Sequence, residues 1–430
     1  MAGVGALCLI IQIAVATWIP IQWETPNFAS AIARNLASGG SFVCDAGWRL
    51  HGPAGGPEAG AVRMFHLPGE VLYLAAAFRW LPSFLLHYVH VPLTVLLVLA
   101  TVYVGCRLHG PRLGWFAGFF ASLQPFVILH GPVWDDAFLS AATEWTVFAL
   151  LFSLHGGGPG VAGPVKTPAL RLLAIGLLAG YAAITRSSSQ VFLAGTALLT
   201  LFTPSLRQLR SGAVAMLIGI ALAVGSWGVR NQLTMGTWVV GTSHDGITLW
   251  ESVYPSAREA LLTRGQTERL NEQRMQDDFA NTARMTELEA NRYFTHRALQ
   301  YMLAHPLDVA RTATIKLAVG MSGWSPPESP FTPRNLVAIV SNALLLLLAA
   351  HGAMTMQFPG GWPGPRLWLV IVAMAVLSFL ALTCVGPVGL RYRMSLEPVL
   401  WILAAGSLLH WFKKFGWLPT NETGAQTSMG

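Results

Sequence analysis

Glu24 stands in the stretch QWETPNFASAIARNLASGGSFV (22–43), directly after a run from Ala2 to Trp23 that carries no charge. A carboxylate at the end of an apolar run can be partly desolvated, which raises its pKa and makes it a stronger base. The same position also suits an acid that only favours a helix N-terminus. Thr25-Pro26 is a start signal, since Thr caps free N–H groups and Pro fits the first helical position. Gly39-Gly40 is the matching stop. Between them Phe28, Ala29, Ile32, Ala33 and Leu36 form an apolar stripe, with Asn27, Ser30, Arg34 and Ser38 facing away, which predicts a helix lying on the bilayer surface.

Other groups with chemical capacity occupy comparable places. Asp135 and Asp136 are adjacent at the mouth of an apolar segment, and Glu144 lies deeper in it, some ~10 Å from the mouth at 1.5 Å per residue. An acid inside such a segment is functional or paired. Arg186 and Arg230 sit at helix ends, and Arg391, Tyr392 and Arg393 share a short turn between two apolar segments. His66 lies in a loop just ahead of Pro68. Each arginine also has an ordinary reading, snorkelling or pairing with lipid headgroups. The 12 histidines show no HExxH-type spacing, and Cys8, Cys44, Cys106 and Cys384 are scattered without a CxxC pair. Zinc and a disulfide framework are therefore not indicated.

The frame that must position these groups is a membrane. Of 430 residues, 53% are hydrophobic and only 11% charged, against about 25% charged in soluble domains. Apolar segments run over roughly 3–22, 88–106, 114–130, 137–154, 170–185, 190–203, 212–229, 335–352, 367–386 and 395–412, several of them shorter than the ~20 residues a crossing helix needs. The first reads as a span and not as a cleaved signal peptide, because no Lys or Arg precedes it. The connections holding Arg107 and Arg112, Lys166 and Arg171, Arg207 and Arg210, and Arg366 contain no acid, and the last segment is followed by Lys413 and Lys414. All five fall on one side if ten spans cross and both termini are cytoplasmic. Residues 69–82, GEVLYLAAAFRWLP, satisfy that pattern only by lying in the interface or re-entering. The net charge of +7 follows from these arginine-rich connections; no compact basic, aromatic-laced module suggests a nucleic-acid partner.

The opposite side has a different character, since only Glu422 of the 20 acids falls on the cytoplasmic side. Residues 251–311 hold 17 of the 47 Asp, Glu, Lys and Arg residues, which marks an aqueous loop. Its middle, Arg258 to Leu303, reads as polar helix, and LDVARTATIKLAVGMSGW after Pro306 as a helix on the membrane surface. GGGPGVAGP (156–164) is a linker without the lysine or the strand–helix setting of a phosphate loop. The expected organisation is a first transmembrane helix (1–23), an extracytoplasmic loop with an amphipathic helix (24–68), a transmembrane bundle (69–229), a second extracytoplasmic loop with surface helices (230–334), C-terminal transmembrane helices (335–412) and a cytoplasmic tail (413–430).

WETPNFASAIARNLASGGSF resembles the first extracytoplasmic loop of the GT-C superfamily, specifically of bacterial relatives of protein O-mannosyltransferases and of the lipid A aminoarabinose transferase. FHLPGEVLYLA (65–75) is similar to the family's "PPGYPLFLA", TEWTVFALLFSL (143–154) to its "TE.LF.LLL" and GLLAGYAAITRSSS (176–189) to its "GLLLGLAALTRP". The likeness continues in WGVRNQLTMGTWVVGTSHDGITLWESVYP (227–255), YMLAHPLDVARTATIKLAVGMSGWSP (301–326) and GLRYRMSLEPVL (389–400), in the family's order over most of the chain. The fold so implied is an all-α polytopic GT-C-type bundle of about 10 (10–13) transmembrane helices with amphipathic extracytoplasmic surface helices.

The implied activity is inverting transfer of a sugar from a polyprenyl-phosphate carrier to an extracytoplasmic glycan, lipid or protein acceptor, at a bacterial plasma (inner) membrane. Glu24 matches the loop acid that acts as general base or positions a metal. A lipid phosphate needs cations at the membrane surface, which makes Arg391, Arg393, Arg186 and Arg230, with Tyr392 and His66, the candidate substrate binders. Glu144 matches the "TE" acid and would orient a cation or polar network. Asp135 and Asp136 match an outer loop that in several relatives supplies acid to a divalent cation, the one cofactor suggested; two adjacent carboxylates are also simply a polar turn. The chain departs from many relatives in having one acid at Trp23-Glu24, Phe28 in place of Tyr, and Leu67-Pro68-Gly69 in place of Pro-Pro. Two other readings are an inactive assembly protein of the same fold and a lipid or sugar transporter, although no internal repeat is visible.

Overall fold

The computed structural model describes residues 1–18, 28–43, 67–132, 135–154, 169–255, 257, 275–282, 285–324, 331–357, 364–386 and 390–418. Among them are seventeen α-helices and no strand. Each of the ten apolar segments holds helix within the described residues: α1 (Ala2–Trp18), α4 (Val91–His109), α5 with α6 (Pro111–Leu123 and Pro125–His130), α7 (Asp136–Leu154), α8 (Ala169–Ala183), α9 (Ser187–Phe202), α10 (Arg210–Met235), α15 (Pro333–Thr355), α16 (Gly364–Val385) and α17 (Glu397–Lys414). The third expected span is broken where Gln124 leaves the helical region ahead of Pro125, as a residue before proline does.

Among the described residues, five stretches are long and apolar enough to cross a membrane: Ser83–His109, Asp136–Leu154, Pro204–Met235, Pro333–Thr355 and Gly364–Cys384. Several direct large apolar side chains outward, among them Leu222 at 69% and Leu347 at 70% exposure. Helices that satisfy their own backbone and present such side chains belong in lipid, and the chain is embedded in a membrane. The interior of the bundle is aromatic. Trp145, Phe148 and Phe152 of α7, Trp368 of α16 and Trp401 of α17 are all buried, and Trp145 meets Trp368 edge-on at 6.3 Å.

The polar end of the bundle carries the remaining helices. The stretch after Asn27 forms α2 (Phe28–Ala37), stopped at Gly39, whose positive φ of 89° suits glycine. Its apolar stripe does not face lipid. Ala29, Ile32 and Ala33 are buried in one cluster with Val71, Leu74 and Ala77 of α3 (Pro68–Trp80), and Ser30, expected on the polar face, is 1% exposed. A partner helix supplies the apolar surface that the bilayer was expected to supply. With 13 residues, α3 spans ~20 Å, short of the ~30 Å hydrocarbon core.

In the expected second loop, α11 (Asp245–Val253), α12 (Gln276–Thr282) and α13 (Glu287–Ala304) close a separate small core around Trp250, Phe279 and Phe294. A complete capping box at Thr286 and Glu289 starts α13. Residues 258–274, expected to be helical, lie outside the described residues. The next helix, α14 (Pro306–Ser322), has Lys316 buried on the face that α16 and the 390–393 turn pack against.

Candidate active site

Four elements converge at one end of the bundle. Asp135 and Asp136 open α7, and the Asp135 carboxylate accepts the Ala137 N–H at 2.7 Å, satisfying one of the free donors of the helix start. Arg186 occupies the tight joint between α8 and α9. Its Nε lies 3.4 Å from Asp136 Oδ2, and its Nη1 donates to the Arg391 carbonyl at 3.4 Å. The third element is the short 3-10 turn Leu390–Arg393. There the Arg391 Nη2 donates to the Tyr392 hydroxyl at 2.9 Å. The guanidinium carbons of Arg186 and Arg391 each stand 5.0 Å from the centre of the Tyr392 ring, within cation–π range.

The fourth element is the start of α3, which brings Glu70. Gly69 donates its N–H to the Ile184 carbonyl at 2.7 Å and accepts the Tyr181 hydroxyl at 2.8 Å. A Cβ on Gly69 would fall 2.7 Å from the Thr185 Cα, so only glycine lets α3 approach the α8–α9 joint this closely. Glu70 is thereby held at 5% exposure beside the cluster.

Burial, reinforced by the charges of Asp136 and Asp135 and only partly opposed by Arg186 and Arg391, pushes the Glu70 carboxyl well above the ordinary glutamate range. Burial acts upward on Asp135 too. There Arg391, Arg186 and the Ala137 N–H outweigh it and hold the group below the usual aspartate value. The patch thus combines an ionised aspartate, a protonation-prone glutamate and two guanidiniums stacked on a tyrosine.

The sign for Glu70 gives a stability prediction. A carboxyl whose folded pKa lies above its unfolded one contributes stability at low pH and loses it as pH rises through the folded value. Wild type and Glu70→Gln should unfold together at pH values below the ordinary 4.5 of glutamate. Wild type should fall progressively behind as pH rises, read as thermal unfolding of the purified protein. Parallel curves at every pH would remove the raised pKa.

The structure brings Asp135, Asp136, Arg186, Arg391 and Tyr392 together. Glu144 lies deeper in α7, fully buried, with Ser189, Ser395 and Arg186 as polar neighbours. Arg230 serves elsewhere: its guanidinium packs on Trp227 at 4.9 Å and Phe42 at 5.1 Å and donates to the Phe42 carbonyl, tying the segment after α2 to α10. Arg393 also stands apart from the cluster. It is 0% exposed, and it donates to Glu397 through Nε and Nη2, to the Gly320 and Met321 carbonyls through Nη1, and to Asn342 through Nη2. Such a guanidinium has no donor left for a phosphate. Glu24 and His66 lie outside the described residues. Glu70 was missed because residues 69–82 read as an apolar segment; the one signal was a single acid in the first turn after Pro68-Gly69.

As for a divalent cation, Asp136 is engaged by Arg186 and Asp135 by the Ala137 N–H. No group of three or more His, Cys, Asp or Glu that could hold a metal occurs among the described residues. The aspartates present do not form a hard-oxygen cage by themselves.

No protein-family model matches the chain, and no curated protein matches it by sequence. By structure the chain is similar to the oligosaccharyltransferase of Archaeoglobus fulgidus tethered to an acceptor peptide, with TM-score 0.55 and 11% identity over 97% of this chain and 50% of that one. It is likewise similar to the archaeal oligosaccharyltransferase AglB of the same organism in complex with an inhibitory peptide and a dolichol-phosphate, with TM-score 0.53 and 13% identity over 97% of this chain and 51% of that one. ArnT from Cupriavidus metallidurans bound to undecaprenyl phosphate overlaps at TM-score 0.39 and 14% identity, over 95% of this chain and 77% of that one. The chain therefore shares the fold of the two oligosaccharyltransferase structures, in line with the all-helical membrane fold expected from its sequence. It spans about half the length of the oligosaccharyltransferase structures it matches.

Proposed function

We propose that the chain is a membrane glycosyltransferase that moves a sugar from a polyprenyl-phosphate carrier to an acceptor outside the cytoplasm, with inversion. The observation that carries this reading is the cluster of Arg186, Arg391 and Tyr392 against Asp135, Asp136 and Glu70, at one end of a GT-C fold. A neighbour of that fold was solved with a dolichol-phosphate, a ligand of the same phosphate chemistry.

The two guanidiniums supply planar donors for a lipid phosphate and stabilise the charge that develops on it. Burial, which raises the Glu70 carboxyl above the ordinary glutamate range, disfavours a negative charge there facing that phosphate. An acceptor oxygen attacks the anomeric carbon, the bond from that carbon to the phosphate oxygen breaks, and polyprenyl phosphate leaves with the electron pair. The acceptor proton goes to a carboxylate, for which Glu24, directly after the uncharged run Ala2–Trp23 in the sequence, is the residue proposed. The donor sugar and the acceptor are identified by screening.

The test is release of carrier phosphate from labelled polyprenyl-phosphate hexoses and pentoses by the purified protein with lysate acceptors, comparing wild type and Glu24→Gln. Wild-type release that falls about a hundredfold or more in the variant supports the reading with Glu24 as base. Equal release in both removes Glu24 from the mechanism. Release from none of the carriers overturns the transferase reading.

A further inference from the structure

Two buried cations hold the chain to one face of α14, one at Gly386, four residues ahead of the turn Leu390–Arg393, and one within the turn itself. Ahead of the turn, Lys316 of α14, 2% exposed, donates to the Gly386 carbonyl at 2.9 Å and also to the Ser252 hydroxyl. Ser252, at the end of α11, itself donates to the same carbonyl at 2.8 Å. At the trailing end Arg393 donates to the Gly320 and Met321 carbonyls, one helical turn beyond Lys316 on the same helix. Burial lowers the Lys316 amine to about 8, and the Gly386 carbonyl and the Ser252 hydroxyl are the oxygens it meets among the described residues.

We propose that Lys316 is a positioning residue: it seats Gly386, four residues ahead of the turn, on α14, thereby helps to set where Arg391 and Tyr392 stand, and through Ser252 ties them to the α11–α13 module. The functional half of this statement rests on the phosphate role proposed above for Arg391; the seating of the turn does not. A lysine chain buried among apolar helices costs desolvation, and three elements distant in sequence, residues 252, 316 and 386, meet at its ammonium. With the Gly386 hold removed, Arg391 keeps Arg393 two residues on and the Arg186 hydrogen bond to its own carbonyl, and its guanidinium gains freedom relative to Asp135 on α7. Any shift of the α11–α13 module would likewise reach Arg391 through the Ser252 hydroxyl.

The test uses the full chain and two readouts. In Lys316→Met, a replacement of similar length that keeps the Ser252–Gly386 hydrogen bond, amide exchange over 386–396 should quicken about tenfold while α7 stays protected, the range that local opening spans. Lys316→Arg should recover much of the protection, and Ser252→Ala should show a smaller increase. The second readout is equilibrium binding of undecaprenyl phosphate in a cycle with Arg391→Ala. Binding should weaken about tenfold in Lys316→Met, and the double variant should bind no worse than Arg391→Ala alone, because Lys316 acts through Arg391. Unchanged exchange, or additive losses in the cycle, would overturn the proposal. Where wild type fails to bind undecaprenyl phosphate, the phosphate role falls and the exchange result alone decides the seating of the turn. A Lys316→Met protein that does not fold is replaced by Ser252→Ala, whose normal exchange and binding would sink the link to α11.

Discussion

Arg393→Met is expected to destabilise the folded protein by about 3–5 kcal/mol, the effect of stranding one partner of a buried ion pair. The guanidinium and the Glu397 carboxylate are both 0% exposed, with Nη2 and Nε at 2.5 and 2.7 Å from one carboxylate oxygen. The same side chain satisfies the Gly320 carbonyl at 3.1 Å and Asn342 Oδ1 at 2.5 Å, and so joins α14, α15 and α17 at a single point. Methionine fills comparable space but leaves a carboxylate, a carbonyl and an amide oxygen facing apolar surroundings. The double variant Arg393→Met, Glu397→Gln should recover a large part of the loss, since the second substitution removes the stranded charge. Denaturant unfolding of the detergent-purified protein, followed by tryptophan fluorescence, reads both values. A single-variant loss below about 1 kcal/mol, the size of an exposed pair, would show that the pair is hydrated in the folded state.

Arg186→Ala should cut the rate of carrier release by about a hundred- to a thousandfold, the cost of removing a donor aimed at developing charge. Arg186 meets Asp136, the Arg391 carbonyl and the Tyr392 ring simultaneously. Lysine keeps the charge but lacks the planar fork and cannot make these three contacts together, so Arg186→Lys should restore little. Arg207→Ala, on an exposed turn outside the cluster, should leave the rate unchanged. Single-turnover release, with unfolding curves as a check on the fold, separates the three variants. Equal rates for wild type and Arg186→Ala would take the cluster out of the chemistry.

The pair Arg391 and Arg393 shows how far a sequence can be read here. Two residues apart in LRYRMS, they present the same chemistry and the same neighbourhood in one dimension. In the folded chain one stays exposed beside Tyr392 and the other is sealed against Glu397. Positions two apart on a 3-10 turn point about 120° away from each other, and which direction is interior depends on where α14 and α15 lie. Glu70 makes the same point from the other side. In sequence it is one acid in a short apolar segment; in space the fit of Gly69 against Thr185 carries it to Arg186. For α2 the period of the apolar stripe was legible, and what covered the stripe was not.

Composition and apolar run length sufficed for an all-helical membrane chain, because a bilayer imposes its thickness and dryness on each helix separately. The same local signals located α2, α7 and the joint holding Arg186, since caps, prolines and glycines act within a turn or two. The active cluster depends on other physics. Tyr181 reaches Gly69 across 112 residues and Arg186 reaches Arg391 across 205, and burial, charge pairing and the upward shift of the Glu70 carboxyl exist only once those contacts form. Each of these energies is a property of the packed arrangement, so folding alone determines which of several equivalent arginines and acids face one another.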